Sequence, residues 1–245
     1  MSDFAGLQVA LQLTRGKFAL SAEFDLAPDG RLALVGPNGS GKSSLLLALA
    51  GVLRPSAGQL RFAERVWFDA SRGVEVSAPA RPCALVFQRG ALFPHMSVLD
   101  NISYGLRAAG TSRDAARKSA QDWLRRVELE RLALRTPGEL SGGQTRIIAL
   151  LRALATQPKL LLLDEPFAGL DPITRAKASE LIDRASHAFE GAMIWVDHEL
   201  RPLRRHTQLV AQICDGVVQT PLDWESALAS AADSHLGAMV KAQTQ

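Results

Sequence analysis

The sequence predicts an α/β fold: a parallel-sheet core that opens with antiparallel β-strands and carries an inserted helical lobe. Three observations carry this reading. A glycine-rich stretch, Gly36 to Ser43, stands between an apolar strand-like run, Leu32–Val35, and an apolar helix-like run, Ser44–Ala50. Leu160–Leu163 and Ala192–Val196 are short continuous apolar runs, the pattern of parallel strands buried on both faces. Between these blocks, residues 97–135 lose β-branched residues and fill with Ala, Leu, Arg and Gln, which favours helices.

The elements follow in order. Residues 7–35 read as short strands with polar turns; Phe18–Leu26 partly alternates and Pro28-Asp29-Gly30 is a turn. A helix over 42–52 follows the glycine stretch and closes at Pro55-Ser56-Ala57-Gly58. Gln59–Phe68 and Ala84–Phe87 read as strands, separated by a polar, proline-bearing loop over 69–82. Ser97–Leu106 reads as a helix, and Ser112 as the N-cap of a second over 113–127. A third helix begins after Ser141. A helix over 173–189 follows the 160–163 strand. Leu209–Cys214 and Val217–Thr220 pair through Asp215-Gly216. Residues 221–245 read as a helix and a frayed tail.

A chain of 245 residues, 47% apolar, can bury a sizeable core in one domain. A formal net charge of +3 does not call for nucleic acid as a partner. Cys83 and Cys214 have no metal-ligand spacing and read as reduced thiols. There is no secretory signal pattern at the start, and no run reaches the roughly 18 apolar residues of a spanning helix.

The glycine stretch carries chemistry. Gly36, Pro37, Asn38, Gly39, Ser40, Gly41, Lys42 and Ser43 match the phosphate-loop pattern G-x-x-x-x-G-K-S/T, with Ser44 next in the helix. Backbone N–H groups of such a loop turn inward around a polyphosphate, and the helix N-terminus that follows favours an anion. Lys42 adds positive charge at the β- and γ-phosphates, and Ser43 offers its hydroxyl to Mg2+. Asp164 and Glu165 end the 160–163 strand, on the sheet edge where α/β proteins bind ligands. Asp164 is assigned to the metal and Glu165 to the attacking water. Ser141, Gly142, Gly143 and Gln144 open a helix and offer a second set of free N–H groups.

On these motifs, from about residue 7 to 220, the chain resembles the ATP-binding-cassette ATPases. The resemblance implies a P-loop NTPase (RecA-like) core over 1–88 and 158–220, a helical subdomain over 89–157, and no regulatory domain in 221–245. It implies ATP and Mg2+ as cofactors. It makes Gln88 the residue that touches Mg2+ and attacking water and couples core to lobe, and His198 the γ-phosphate contact. Ala168–Asp171 becomes the loop at a dimer interface, with Asp171 beside nucleotide. It further implies a head-to-tail dimer, in which Ser141–Gln144 of one copy cap the γ-phosphate held by the other.

Some positions depart from the family pattern. Arg15 stands near the position where the family stacks an aromatic residue on adenine, and Phe18 follows three residues later, suited equally to adenine or to the core. Arg146 comes one place early after the Ser-Gly-Gly motif, a turn of about 100° on a helix. Asp197 replaces a usual threonine and Glu199 a usual aspartate. Arg201, Arg204 and Arg205 form a basic cluster that fits a lipid or partner contact, or a solvated helix face. The stretch Phe93–Gly105 resembles importer subunits of the molybdate and sulfate group. This implies an ATPase on the cytoplasmic face of the inner membrane, working with a permease and a solute-binding protein, and molybdate or a similar oxyanion as solute. The alternatives are a soluble ATPase acting on protein or nucleic acid, and a phosphate-loop kinase.

Overall fold

The computed structural model describes residues 5–87, 90–186, 189–231 and 234–243. β1 (Leu7–Arg15) and β2 (Phe18–Leu26) form an antiparallel pair running from Leu7 opposite Leu26 to Arg15 opposite Phe18. Their buried and exposed residues alternate, so a one-residue slip would turn Leu11, Leu13, Leu20 and Ala22 out to water. β3 (Arg31–Val35) leads through the glycine loop into α1 (Lys42–Leu49).

The expected 59–68 strand is two strands. β4 (Ala57–Phe62) and β5 (Arg65–Asp69) fold back on each other through Ala63-Glu64, with Ala63 at φ 49°. No Gly or Pro marks this turn, so sequence alone gave no break. The 69–82 loop holds a short strand, β6 (Val74–Glu75), and a 3-10 turn at Ala78–Ala80. β7 (Cys83–Val86) follows.

α2 (Val98–Ala108), α3 (Arg113–Arg126) and α4 (Gly142–Ala155) pack on one another. Ser97 and Ser112 cap the first two, accepting from the Asp100 and Ala115 N–H groups. Then come β8 (Leu160–Asp164), α5 (Pro172–Ser186), β9 (Ala192–Val196), α6 (Leu200–His206), β10 (Leu209–Cys214) and β11 (Val217–Val218). The expected tail is folded. After β12 (Leu222–Asp223), α7 (Trp224–Ala229) and α8 (His235–Gln243) pack back on the core, with Leu236 fully buried. The apolar positions 236, 239 and 240 share a helical face, but they are too few to outweigh the polar flanks in a sequence reading.

The strands run in the order β6-β5-β4-β1-β2-β11-β10-β3-β9-β8-β7. The first five are antiparallel to one another, β11 lies parallel to β2 and antiparallel to β10, and β10, β3, β9, β8 and β7 are mutually parallel. Period-two alternation divides the parallel strands between two cores. Leu32, Leu34, Leu160, Leu162 and Ile194 join α1 and the antiparallel strands. Ala33, Val35, Leu161, Leu163 and Trp195 join the helices of the other face. Each fully buried leucine is worth about 2 kcal/mol. The parallel strands all end on one edge, where β3 and β8 deliver the glycine loop and Asp164.

Both cysteines are free, and burial pushes the Cys83 thiol up to about 12, which leaves it a poor nucleophile. Among the described residues no helix is long and apolar enough to cross a membrane.

Gly58 pins the antiparallel strands. It sits at φ +99°, and an added Cβ would stand 2.0 Å from the Ala10 carbonyl oxygen of β1. Gly58→Ala is expected to cost more than about 2 kcal/mol, since it combines a backbone clash with a disfavoured φ. Urea unfolding measures this; an unchanged midpoint would contradict so close an approach.

Candidate active site

The loop after β3 is built around a buried cation. Lys42, 6% exposed, turns back so that Nζ donates to the carbonyls of Gly36 (2.8 Å) and Pro37 (3.0 Å). Burial lowers its pKa, and the charges of Glu165 and Asp164 act against that fall. Gly41 caps α1 at φ +104°, and an added Cβ would meet Phe18 Cζ at 2.5 Å. The Phe18 ring therefore packs beneath the loop, against the apolar core. Arg15, its cross-strand partner, is exposed. Ser40 Oγ is buried with no partner among the described residues, and a Cβ at Gly36 would stand 2.9 Å from it. The first turn of α1 carries no acidic residue. An unpaired hydroxyl, a buried ammonium and a free helix N-terminus are a donor set that fits a polyphosphate.

β8 brings two carboxylates to the same edge. The Ser43 hydroxyl donates to Asp164, whose pKa is raised by burial against the lowering effect of that bond. A hydroxyl beside a carboxylate suits a hard cation such as Mg2+. Glu165 follows at φ 46°, a left-handed conformation that costs a non-glycine residue about 1–2 kcal/mol. Its N–H donates to the Val196 carbonyl (2.9 Å), which ties the ends of β8 and β9 together. Its carboxylate accepts from His198 Nε2 at 2.7 Å.

The turn after β9 holds that histidine. Asp197 is 8% exposed and accepts three hydrogen bonds: from His198 N–H (2.8 Å), Glu199 N–H (3.2 Å) and Trp195 Nε1 (3.3 Å). A threonine there has one oxygen where the carboxylate has two. Sequence reasoning marked Asp197 as a departure but missed this anchoring role; the adjacent Trp195 was the available signal.

Ser141–Gln144 lie elsewhere, at the N-terminus of α4. Ser141 Oγ accepts from Gln144 N–H (3.2 Å), and Gln144 Oε1 accepts from Ser141 N–H (3.0 Å), a closed capping box. Among the described residues no hydrogen bond or ion pair joins this segment to loop 36–43. Arg146 reaches the loop that follows Glu165: its Nη2 donates to the Ala168 carbonyl at 2.5 Å. Asp171 accepts from Ile173 N–H (3.1 Å) at the start of α5. Arg175 donates to the Leu170 carbonyl (3.0 Å) and pairs with Glu199. Sequence reasoning did not single out Arg175, because no local pattern marks a contact between a helix and a distant turn. In the basic cluster, Arg205 pairs with Asp183, while Arg201 and Arg204 are exposed.

The structure thus brings Lys42, Ser43, Asp164, Glu165 and His198 together and leaves Ser141–Gln144 and Asp171 outside that cluster. Gln88 lies outside the described residues.

Known proteins resemble this chain in sequence and fold. The family model described as ABC transporter matches residues 20–168. The chain is 42% identical over 186 residues to the molybdenum import ATP-binding protein ModC of Mycobacterium tuberculosis, covering 74% of this chain and 50% of that one. It is 36% identical over 217 residues to the thiamine import ATP-binding protein ThiQ of a Jannaschia species, covering 86% and 91%. It spans about half the length of the molybdenum-import relatives it matches. CbiO1 of Clostridium perfringens, part of the ABC transporter complex cbiONQ, superposes with a TM-score of 0.78 at 26% identity, over 94% of this chain and 92% of that one. The ATP-binding cassette MJ0796, solved as a dimer in a post-hydrolysis state with ADP and Pi, gives 0.71 at 25% identity over 89% and 98%. By the phosphate loop, the carboxylate pair at the end of β8 and these matches, the chain belongs to the ABC transporter ATP-binding family.

Proposed function

We propose that this chain binds and hydrolyses ATP with Mg2+ and drives solute import through a separate membrane permease. The observation that carries the reading is the cluster of Lys42, Ser43, Asp164, Glu165 and His198 on one sheet edge. The loop amides of residues 36–41 and the Lys42 ammonium hold the triphosphate; nucleotide binding would draw that ammonium from the Gly36 and Pro37 carbonyls to phosphate oxygens. Ser43 and Asp164, with Gln88, hold Mg2+, which when bound neutralises phosphate charge. Glu165 orients and deprotonates water for in-line attack on the γ-phosphorus, and His198 fixes both Glu165 and the γ-phosphate.

In this reading Ser141–Gln144 serve a second copy. The capping box leaves the N–H groups of Gly142 and Gly143 free to face a neighbour's γ-phosphate, with Asp171 at the same seam. The dimeric MJ0796 neighbour supports that assembly. Molybdate is the solute favoured by the ModC relatives; the sulfate and thiamine importers among the matches mark the range. A solute-binding protein completes the system, and the chain works at the cytoplasmic face of the membrane.

A groove of about 340 Å3 between β7 and the helical lobe supports a protein partner. Phe87 and Tyr104 stand 44% and 41% exposed along it. Such exposed aromatics fit a docking permease segment.

Three results follow. Lys42→Ala is expected to abolish ATP binding, and Glu165→Gln to cut turnover by about 100- to 10,000-fold while retaining ATP. Glu165→Gln should also give a stable dimer by light scattering. A monomer at saturating ATP-Mg2+, alone and with the permease, would defeat the composite site. Second, Tyr104→Glu should uncouple transport in vesicles while leaving soluble ATP turnover intact; transport at the normal rate would remove the groove from the reading.

The third concerns pH. Burial, acting against the His198 and Trp195 hydrogen bonds, pushes Asp197 up to about 6 from 3.8. A carboxyl whose folded pKa is raised stabilises the fold fully below its unfolded value, and that contribution is lost as pH rises through about 6. The loss amounts to roughly 3 kcal/mol. Urea unfolding between pH 4 and pH 8 should show the fall in this chain and a smaller one in Asp197→Asn. Equal pH dependence in the two proteins would refute the buried carboxyl.

A further inference from the structure

α8 is strapped across the edge where the phosphate loop opens. At its start, Leu236 N–H donates to Gln212 Oε1 at 3.0 Å. Gln212 is the β10 residue paired with Val35, the last residue of β3 before the loop. At its end, Gln243 Oε1 accepts from Leu200 N–H (3.1 Å), and its Nε2 donates to the His198 carbonyl (3.1 Å). One anchor is therefore beside Gly36 and the other on the turn that holds His198. Between them Leu236 and Met239 are buried in the core, so the helix cannot roll freely.

This placement sets His235 at the start of α8, next to the Leu236 anchor on Gln212. The His235 Nε2 is buried and has no hydrogen-bond partner among the described residues. Burial lowers its pKa, and the charges of Lys42 and then His198 lower it further, so both are within electrostatic range. Lys42 faces it from α1 and His198 from the β9–α6 turn; Asp164 and Glu165 act on Lys42 from the end of β8. Lys241 is the one cation on α8 itself and is exposed. An imidazole held near the Lys42 ammonium, with a buried nitrogen unpaired among the described residues, is a poor arrangement without a further hydrogen-bonding partner. A triphosphate gripped by Lys42 supplies that partner and reverses the sign of the local field.

We propose that His235 contacts the terminal phosphate of bound ATP, and that α8 thereby makes the C-terminal segment a part of the nucleotide site. The proposal rests on loop 36–43 being the phosphate site. His235 adds a donor from a part of the chain remote from every other site residue. Because α8 also holds the His198 carbonyl, a phosphate drawn to His235 tightens the turn that presents His198 to Glu165. His235 donates from Nε2 in the neutral tautomer and from either nitrogen when the phosphate raises its pKa, so its protonation follows occupancy of the γ position.

The test uses the intact chain with carbon-13-labelled histidine and a non-hydrolysable β,γ-imido ATP analogue with Mg2+. The His235 ring signal is identified by its loss in His235→Asn. It is expected to shift on adding the analogue, with a higher titration midpoint than in the nucleotide-free protein, and to move less with ADP. Independently, His235→Asn should reduce the preference for ATP over ADP by about tenfold, the effect of one hydrogen bond to a charged group. A His235 signal that ignores the analogue while the analogue binds overturns the inference and leaves the phosphate-site reading intact. A folded His235→Asn with the original ATP-to-ADP preference does the same. Absence of any nucleotide binding overturns both.

Discussion

A buried ammonium with nowhere else to go organises this molecule. Lys42 sits at the N-terminus of α1, where the helix dipole already repels positive charge, and it is withdrawn from water. Two carbonyls of its own loop and the field of Asp164 and Glu165 keep it there. The parallel strands make that possible. Because β3, β9 and β8 run in register and end together, the loop and the carboxylates meet without any long-range search by side chains. The site is a balanced set of opposite charges awaiting a more negative guest. Cooperation between its parts follows from that balance: each negative group that approaches Lys42 changes what the others cost.

Rigidity and strain are divided across the same edge. The loop is fixed from below by Phe18, a core side chain pressed against Gly41. Glu165 is held in a left-handed conformation by its bond to Val196 and by the strand it terminates. Beyond it the chain is held by a few long cationic side chains. Arg146 grips the Ala168 carbonyl, and Arg175 joins Leu170 to Glu199. Such links couple the start of α4 to the turn carrying His198 through exchangeable hydrogen bonds, whereas the phosphate loop rests on packed core.

Much of this was readable before any coordinates. The phosphate loop carries its own grammar, because its glycines, lysine and serine each answer a separate steric or electrostatic need within eight residues. The runs 160–163 and 192–196 gave buried parallel strands, and the structure puts Asp164 and Glu165 at the expected strand end. What was hidden is what depends on distance along the chain. The Ala63-Glu64 turn lacks turn residues, so the β4–β5 hairpin was read as continuous strand. Phe18 looked equally suited to core or to adenine, and only its contact with Gly41 puts it in the core. Asp197 stands out as a departure, yet its donors are two N–H groups of a turn whose shape no pattern encodes and the Trp195 ring at the end of β9.

The C-terminal segment gives the sharpest case. Read locally, 221–245 is a short polar helix and a tail, and its apolar content is too thin to demand burial. In the folded chain two glutamines decide otherwise: Gln212 captures the start of α8 and Gln243 captures the turn at His198. Each bond alone contributes about 1 kcal/mol, less than the cost of ordering the segment. The buried Leu236 and Met239 add core packing to those bonds. The segment therefore owes its structure to contacts with the sheet edge and the His198 turn rather than to its own sequence.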